Sequence, residues 1–91
     1  MARISAQQLS YLRNEIPLAH VIQDILDIHA KYSEGFLRFL CPKCGECNTA
    51  VDPRTNLGRC FRCEQNYNSI ELVMAVRRCS FLSAVKILQG Q

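Results

Sequence analysis

Apolar residues recur with the period of an α-helix near the start of the chain. Between residues 18 and 26 they fall at i, i+3, i+4, i+7 and i+8, namely Leu18, Val21, Ile22, Ile25 and Leu26. This spacing is typical of an amphipathic helix with one buried face. Ile16-Pro17 comes just before it, and proline suits the first turn of a helix while disfavouring helical geometry in the preceding residue. We therefore predict a helix that begins after Pro17.

A separate short helix is predicted before that proline. Ser5 and Gln8 have the spacing of a capping box, in which each side chain bonds the backbone N–H of the other residue. This helix would run from about residue 6 to residue 15, with Leu9 and Leu12 on its inner side. The two N-terminal helices are expected to occupy residues from about 6 to 29.

The pattern changes from helical to extended in the middle of the chain. Residues 36–40 (FLRFL) are rich in aromatic side chains and follow a turn at 33–35, which favours a strand. Shorter strands are predicted at residues 49–51 and 57–60. The turn between them, residues 52–56, contains a proline that fixes one backbone angle.

Two capping signals predict helices in the last quarter of the chain, from about residue 68 to residue 89. Asn68 with Glu71 opens the first helix, and Ser80 opens the second. Their apolar stripes are Ile70, Val73 and Met74 in the first helix, and Phe81, Ala84, Val85 and Leu88 in the second. The predicted fold class is α+β, with a short antiparallel β-sheet flanked by helices whose stripes pack on it.

Length and composition limit the chain to one small domain. Its 91 residues allow one modest core, so residues 1–91 are taken as a single unit, and a chain this short often needs a staple. No apolar stretch reaches membrane-spanning length, and the first eight residues lack the apolar centre of a secretory signal. We therefore expect a cytoplasmic protein without a membrane partner, in which thiols stay reduced. Six cysteines also fit a secreted disulfide scaffold, but the missing signal and the helical periodicity argue against it.

Four of the six cysteines have the spacing of a zinc site. Cys41 and Cys44 form one C-x-x-C pair, Cys60 and Cys63 form another, and fifteen residues separate the pairs. A two-residue gap lets two sulfurs reach one ion, and Gly45 permits the positive φ that such a knuckle needs. The pattern predicts a zinc ribbon at about residues 32–65 that holds one structural Zn²⁺. A closed shell of four cysteines leaves no position for catalytic water.

The other two cysteines and the two histidines are weaker candidates for metal ligands. Cys44 and Cys47 are also two residues apart and are an alternative first pair, although Pro42 and Gly45 favour Cys41 with Cys44. Cys79 has no local partner and is interpreted as a small buried apolar residue. The two histidines, His20 and His29, are not needed when four cysteines are available.

The net charge of +3 is concentrated in the cysteine-rich segment. Residues 1–35 carry −1, residues 36–63 carry +3 and residues 64–91 carry +1. Four thiolates with Zn²⁺ add −2 to the middle segment, so part of its positive charge offsets the metal site. Arg38, Arg59 and Arg62 lie on or beside predicted strands, with Phe39, Phe61 and Tyr67 nearby. Cations beside aromatic rings are typical of sites that bind single-stranded nucleic acid. In the competing interpretation the aromatic rings belong to the core and the arginines are simply solvated. For Phe39 we favour the core.

Four segments together resemble the N-terminal zinc-binding domain of bacterial DNA primases. They are residues 16–22 (IPLAHVI), 36–42 (FLRFLCP), 60–63 (CFRC) and 80–85 (SFLSAV), and their order and spacing match that family from about residue 5 to residue 88. The resemblance implies a ribbon whose sheet contacts single-stranded DNA template and helps to choose where a primer starts. It also implies a partner that performs synthesis, because the family's polymerase domain is a separate unit that this sequence does not contain.

The chain departs from the family pattern at two places. The family usually has histidine as its second ligand, where Cys44 stands here. The family's Glu-Lys-Thr-Pro-Ser-Phe-like segment corresponds to residues 46–51 (ECNTAV), and its Gly-Gly-Asp step corresponds to residues within 65–69 (QNYNS). The lysine and the aromatic residue of the first segment are absent, which weakens the expectation of template contact and leaves the fold expectation intact.

Two functions from different classes follow. The first is a zinc-binding, nucleic-acid-binding module of primer synthesis and DNA replication, with single-stranded DNA template as its ligand. The second is a protein-interaction zinc ribbon that docks on a replication or transcription partner, such as a primase polymerase domain or a replicative helicase. No catalytic constellation is present in the sequence, so we expect the chain by itself not to be an enzyme.

Overall fold

The computed structural model describes residues 5–47 and 49–90 of the chain. The first helix, α1 (Ala6–Asn14), begins at the predicted capping box, because Ser5 accepts from the Gln8 N–H and Gln8 accepts from the Ser5 N–H. The next helix starts as α2 (Leu18–His20), directly after Pro17, and continues as one π-helical stretch, Val21–Ile25. The predicted stripe on this second helix is buried along its whole length.

The second helix is shorter than expected. It was predicted to approach residue 29, but it ends at Ile25. Its last hydrogen bond has π-helical spacing, because the Leu26 N–H donates to the Val21 carbonyl five residues earlier (2.8 Å). Asp27 then takes a left-handed conformation (φ 52°) and redirects the chain into a strand. The sequence carries no proline or glycine at this point, so the stop has no strong local signal.

Five antiparallel strands form one sheet in the order β1–β2–β3–β4–β5. Their bounds are β1 Ala30–Ser33, β2 Phe36–Phe39, β3 Thr49–Asp52, β4 Leu57–Cys60 and β5 Gln65–Tyr67. The second, third and fourth match the predicted strands. The two edge strands were not predicted, since β1 (AKYS) and β5 (QNY) are short, largely polar segments whose extended form depends on pairing with a neighbour.

One face of the sheet belongs to the core. Phe39 is fully buried on this face, which confirms its assignment to the core. A Cβ built on Gly58 would lie 2.9 Å from Phe39 Cζ and 3.2 Å from Leu18 Cδ2, so the glycine allows the ring and the second helix to reach the sheet. Any larger residue at position 58 would push that contact apart.

The C-terminal helices are α3 (Ser69–Arg77) and α4 (Phe81–Gln89), and both begin at the predicted caps. Helix α3 packs on α1 and α4 and reaches β5, while α4 packs on α3 and α1. The expectation that every stripe lies on the sheet is therefore corrected, because α4 completes a helical layer with its neighbours. Its stripe is buried except for Phe81, whose side chain is 39% exposed.

A single asparagine fastens the β3–β4 turn to the junction of the first two helices. The Asn56 Oδ1 accepts from the Leu18 N–H (2.8 Å), and its Nδ2 donates to the carbonyls of Arg13 (2.7 Å) and Ile16 (2.8 Å). Asn56 is left-handed (φ 56°), a conformation that asparagine tolerates better than most residues. The side chain thus satisfies an N-terminal helix N–H, one carbonyl in the last turn of α1 and one carbonyl in the linker between the two helices.

Within residues 5–47 and 49–90, no helix combines the length and the apolar character required to cross a bilayer.

Candidate metal centre

The first cysteine knuckle lies directly after β2. Its turn is closed by the Gly45 N–H, which donates to the Cys41 carbonyl (2.9 Å), and Gly45 has the positive φ (74°) that the sequence suggested. The Lys43 N–H points at the Cys41 sulfur (3.4 Å). The turn therefore directs backbone donors toward the sulfur of its first cysteine, the arrangement that a metal-bound thiolate needs.

The second knuckle joins β4 to β5 in the same way. Cys60 is the last residue of β4, and its sulfur faces the Cys63 N–H (3.4 Å). Glu64 takes the left-handed conformation (φ 52°) at the place that Gly45 occupies in the first knuckle. Because β3 pairs with both β2 and β4, the sheet brings the two knuckles together at one end.

Four sulfurs meet where the knuckles face each other. The Sγ atoms of Cys41, Cys44, Cys60 and Cys63 all lie within 4.8 Å of one another. The Cys41–Cys63 and Cys44–Cys60 separations are 3.9 Å and 3.7 Å. A tetrahedral ion with Zn–S bonds of about 2.3 Å requires sulfurs about 3.8 Å apart. The donor type, number and spacing thus fit one structural zinc ion.

The electrostatics of the cluster also favour a cation. Burial would raise the pKa of the Cys41 thiol, but backbone N–H donors from Cys44 and Lys43 outweigh it and lower the pKa to about 6. Burial, together with the neighbouring sulfurs, raises the pKa of Cys63 to about 12. Four crowded sulfurs cannot all ionise on their own, so a divalent cation at their centre is what stabilises the fully deprotonated set.

The other two cysteines are outside this group. Cys47 is exposed and Cys79 is half-buried, with its thiol 3.9 Å from the Val73 carbonyl. In the described part of the chain the four sulfurs are the one cluster of three or more metal-binding side chains. His20 is elsewhere, where its Nδ1 lies 2.8 Å from an Asp24 carboxylate oxygen.

Tyr67 lies beside the metal centre. The sequence suggested that it stands near the basic residues, but the structure buries its ring on the core face of the sheet. Its hydroxyl lies 3.9 Å from the Cys41 sulfur. Burial raises the pKa of the Tyr67 phenol, and contact with the Cys41 sulfur raises it further, so the phenol remains a donor.

Two of the three predicted nucleic-acid contacts share the opposite face of the sheet. Arg38 of β2 and Arg59 of β4 both pair with Ala50 of β3, and directly paired residues point to the same side. The Arg38 guanidinium contacts Glu34 (3.2 Å) and that of Arg59 contacts the Asn66 side-chain oxygen (3.4 Å). The structure therefore brings these two cations into one row across the sheet.

Arg62 is not part of that row. It lies in the second knuckle, and its Nη1 contacts both carboxylate oxygens of Glu46, each at 3.1 Å. Since Glu46 follows the first knuckle, this ion pair links the two knuckles across the metal centre. The sequence could not indicate the pair, because its members are sixteen positions apart.

The structure adds residues that the sequence did not single out. Lys31 pairs with Arg38 from the unpredicted strand β1, and Asn66 pairs with Arg59 from the unpredicted strand β5. With them, the row across the outer sheet face reads Lys31, Arg38, Ala50, Arg59 and Asn66. Phe36 (45% exposed) and Phe61 (60% exposed) line a shallow groove of about 440 Å³, together with Ala50, Arg59 and Asn66 from the row. The sequence would have indicated this row only if the two edge strands had been predicted.

Comparison with known proteins agrees with the assignment of the four cysteines to a zinc site. A family model described as the CHC2 zinc finger matches residues 4–91. The chain is 29% identical over 91 residues to a DNA primase of Streptomyces coelicolor. That alignment covers 98% of this chain but 14% of the relative, so the chain spans about one seventh of the primase it matches.

Proposed function

Since this chain belongs to the CHC2 zinc finger family, we propose that it is a zinc-stabilised module that binds single-stranded nucleic acid, most directly DNA template. The observation that carries the proposal is the two-sided sheet. One end of it gathers four sulfurs at zinc-binding distance, and its outer face carries a row of cations with two exposed aromatic rings.

The proposed zinc ligands are Cys41, Cys44, Cys60 and Cys63. The ion would join the end of β2 to the turn between β4 and β5, two places that are far apart in sequence. All four positions of the ion would then be filled by thiolates, so the ion would cross-link the chain and hold the sheet rigid. A rigid sheet presents its outer side chains without a further ordering cost on binding.

The proposed nucleic-acid site is the outer sheet face. Strands lie about 4.8 Å apart, so the guanidinium-bearing positions 38 and 59, two strands apart, are separated by about 10 Å. Ala50 between them is small and leaves the floor of the groove low. Phosphates would contact Lys31, Arg38 and Arg59, and bases would stack on Phe36 or Phe61, the usual division of labour for single strands.

The affinity for single-stranded DNA should be modest, because two of the three predicted contact residues form ion pairs with acidic side chains. Glu34 engages Arg38 and Glu46 engages Arg62. Of the three cations in the outer-face row, Arg59 and Lys31 therefore have no ion pair among the described residues. For single strands the slope of log affinity against log salt is about −0.7 per phosphate contacted. Two or three contacts therefore give a shallow salt dependence.

The broader role that we propose is in primer synthesis during DNA replication. It is supported by the primase relative of Streptomyces coelicolor and by the closed sulfur shell, which offers no position for a reacting group. The chain would act with a primase polymerase domain, or with a replicative helicase, and not as an enzyme by itself. A primer-synthesis assay with the chain, template and nucleoside triphosphates should yield no product, and synthesis free of contaminating polymerase would contradict this.

The test of nucleic-acid binding is fluorescence anisotropy with a labelled single-stranded DNA at several salt concentrations. Arg59→Ala should weaken binding by about three- to tenfold at low salt and flatten the salt slope by about 0.7. Lys86→Ala, an exposed residue of α4 with the same change in charge, is the matched control and should have little effect. Metal content should be equal in all three proteins.

The second candidate function is a protein-interaction ribbon. It is supported by Phe81 and Leu82, which stay 39% and 45% exposed at the start of α4, a few residues after the basic pair Arg77-Arg78 in the sequence. No binding of single-stranded DNA even at low salt, or binding indifferent to Arg59→Ala, would favour this function over the first.

A further inference from the structure

We propose that Tyr67 is a positioning residue of the metal centre, whose hydroxyl donates a hydrogen bond to the Cys41 thiolate and slows the loss of the ion. This inference rests on the proposed zinc ligands. The geometry behind it is a phenol oxygen 3.9 Å from the Cys41 sulfur, a distance suited to an O–H···S contact. Both residues are buried, at 4% and 1% exposure.

The position of Tyr67 in the sheet explains how it reaches the sulfur. It is the last residue of β5 and pairs with Gly58 of β4, so no side chain stands opposite its ring. The ring lies on the core face and extends toward the first knuckle, which follows β2. The contact thus connects an edge strand to a ligand that is 26 residues away in sequence.

The contact gives the Cys41 sulfur a second donor. Cys41 already faces the Lys43 N–H at 3.4 Å, and the hydroxyl adds a donor from a different element. Four thiolates with one Zn²⁺ carry a net charge of −2, and donors to the sulfurs spread that charge. Outer groups that bond to metal ligands fix the ligand orientation and commonly change metal affinity by about 10- to 100-fold.

Packing alone is the competing explanation for a buried tyrosine, and one substitution separates the two. Tyr67→Phe keeps the ring and removes only the hydroxyl. Tyr32→Phe is the matched control, because the Tyr32 side chain is 72% exposed on β1. Under the packing explanation both variants should hold the metal as the unchanged chain does.

The experiment measures transfer of zinc from the full 91-residue chain to a competing chelator. We expect Tyr67→Phe to release zinc about fivefold faster, the effect of losing one hydrogen bond of ordinary strength. The Co²⁺-substituted protein gives a second readout, since the sulfur-to-cobalt charge-transfer band should move to lower energy when a thiolate loses a donor. Tyr32→Phe should change neither the rate nor the band.

Unchanged release and an unchanged cobalt band in Tyr67→Phe would overturn the inference while leaving the zinc site in place. A chain that binds no zinc at all would instead overturn the proposed ligand set, so the two failures can be told apart. If Tyr67→Phe lowers thermal stability with saturating zinc but leaves both the release rate and the band unchanged, the hydroxyl contributes to the fold and not to the metal centre, and the inference is wrong.

Discussion

At the scale of single residues, the metal centre depends on which thiols the two knuckles direct inward. Cys41 and Cys60 are buried, Cys44 and Cys63 are half-buried, and Cys47 is exposed. The alternative pairing of Cys44 with Cys47 would require the exposed thiol to replace a buried one. The backbone of the first knuckle opposes that exchange, because its donors already face the Cys41 sulfur.

Substituting single cysteines tests this arrangement. Cys41→Ser should lower zinc affinity by more than about 100-fold, since loss of a ligand exceeds the usual effect of losing an outer partner. Cys47→Ser is the control and should retain a full equivalent of metal. Metal analysis after dialysis against a weak chelator gives the answer, and the reverse result would show that the register Cys44–Cys47 is used.

The ion pair between Arg62 and Glu46 should limit how strongly the chain binds nucleic acid. Glu46→Gln removes the carboxylate that holds the guanidinium, so Arg62 becomes available to a phosphate. We expect binding of single-stranded DNA to tighten by about two- to fivefold at low salt, with a salt slope steeper by up to about 0.7.

Glu64→Gln is the matched control for that change. Glu64 lies at the end of the second knuckle, and its substitution changes the net charge by the same amount. The ion pair recorded for Arg62 among the described residues is with Glu46. Equal tightening in both variants would mean that only the overall charge matters. No tightening in Glu46→Gln would mean that Arg62 serves the knuckles and not the nucleic acid.

At the scale of elements, the helical and sheet layers are joined by a few specific contacts in addition to apolar packing. The Asn56 side chain is the most specific of them, since it bonds one helix start and two carbonyls before it. The Arg77 guanidinium adds a similar link from α3 to the Ile25 carbonyl (3.1 Å) at the end of the second helix. Such links fix the angle at which the helices approach the sheet.

Replacing Asn56 separates its hydrogen bonds from its backbone conformation. Asn56→Gly removes three hydrogen bonds but accepts the left-handed φ, and we expect a loss of about 2–3 kcal/mol in the free energy of unfolding. Asn56→Ala loses the same bonds and strains the backbone, so it should cost about 1 kcal/mol more. Urea denaturation of zinc-loaded protein measures both values, and equal stability of the two variants would show that the turn relaxes.

At the scale of the whole molecule, one contiguous core connects the metal centre to the helices. It includes Cys41 and Cys60 from the sulfur cluster, Phe39 from the sheet, Leu18 from the second helix and Val85 from α4. A chain of this size buries a limited apolar area, so an ion that cross-links two distant points supplies a large part of the stability.

Zinc removal should therefore destabilise the molecule as a unit. With a strong chelator we expect a single cooperative thermal transition at a lower temperature, followed equally by helical circular dichroism and by exposure of the four thiols. Acid should act in the same direction, because protons compete with the metal for the thiolates. Helices that melt at an unchanged temperature after the thiols become exposed would indicate two independent units instead.

The sequence by itself determined the features that depend on local chemistry. Capping boxes at Ser5 and Asn68, the break at Pro17 and the buried stripe after it were all predicted because they depend on residues three or four positions apart. The four-sulfur cluster was also predicted, since each knuckle is a local turn with its own spacing rule.

Tertiary structure alone decided which residues meet across the sheet. The polar edge strands β1 and β5 are extended only because a neighbour pairs with them, and they bring Lys31 and Asn66 into the basic row. Three further sets of contacts join residues that are at least sixteen positions apart in sequence. They are the ion pair of Arg62, the contact of Tyr67 with Cys41 and the three hydrogen bonds of Asn56. Local propensity and periodicity carry no information about such contacts, because they arise only when the whole chain closes around its core and metal centre.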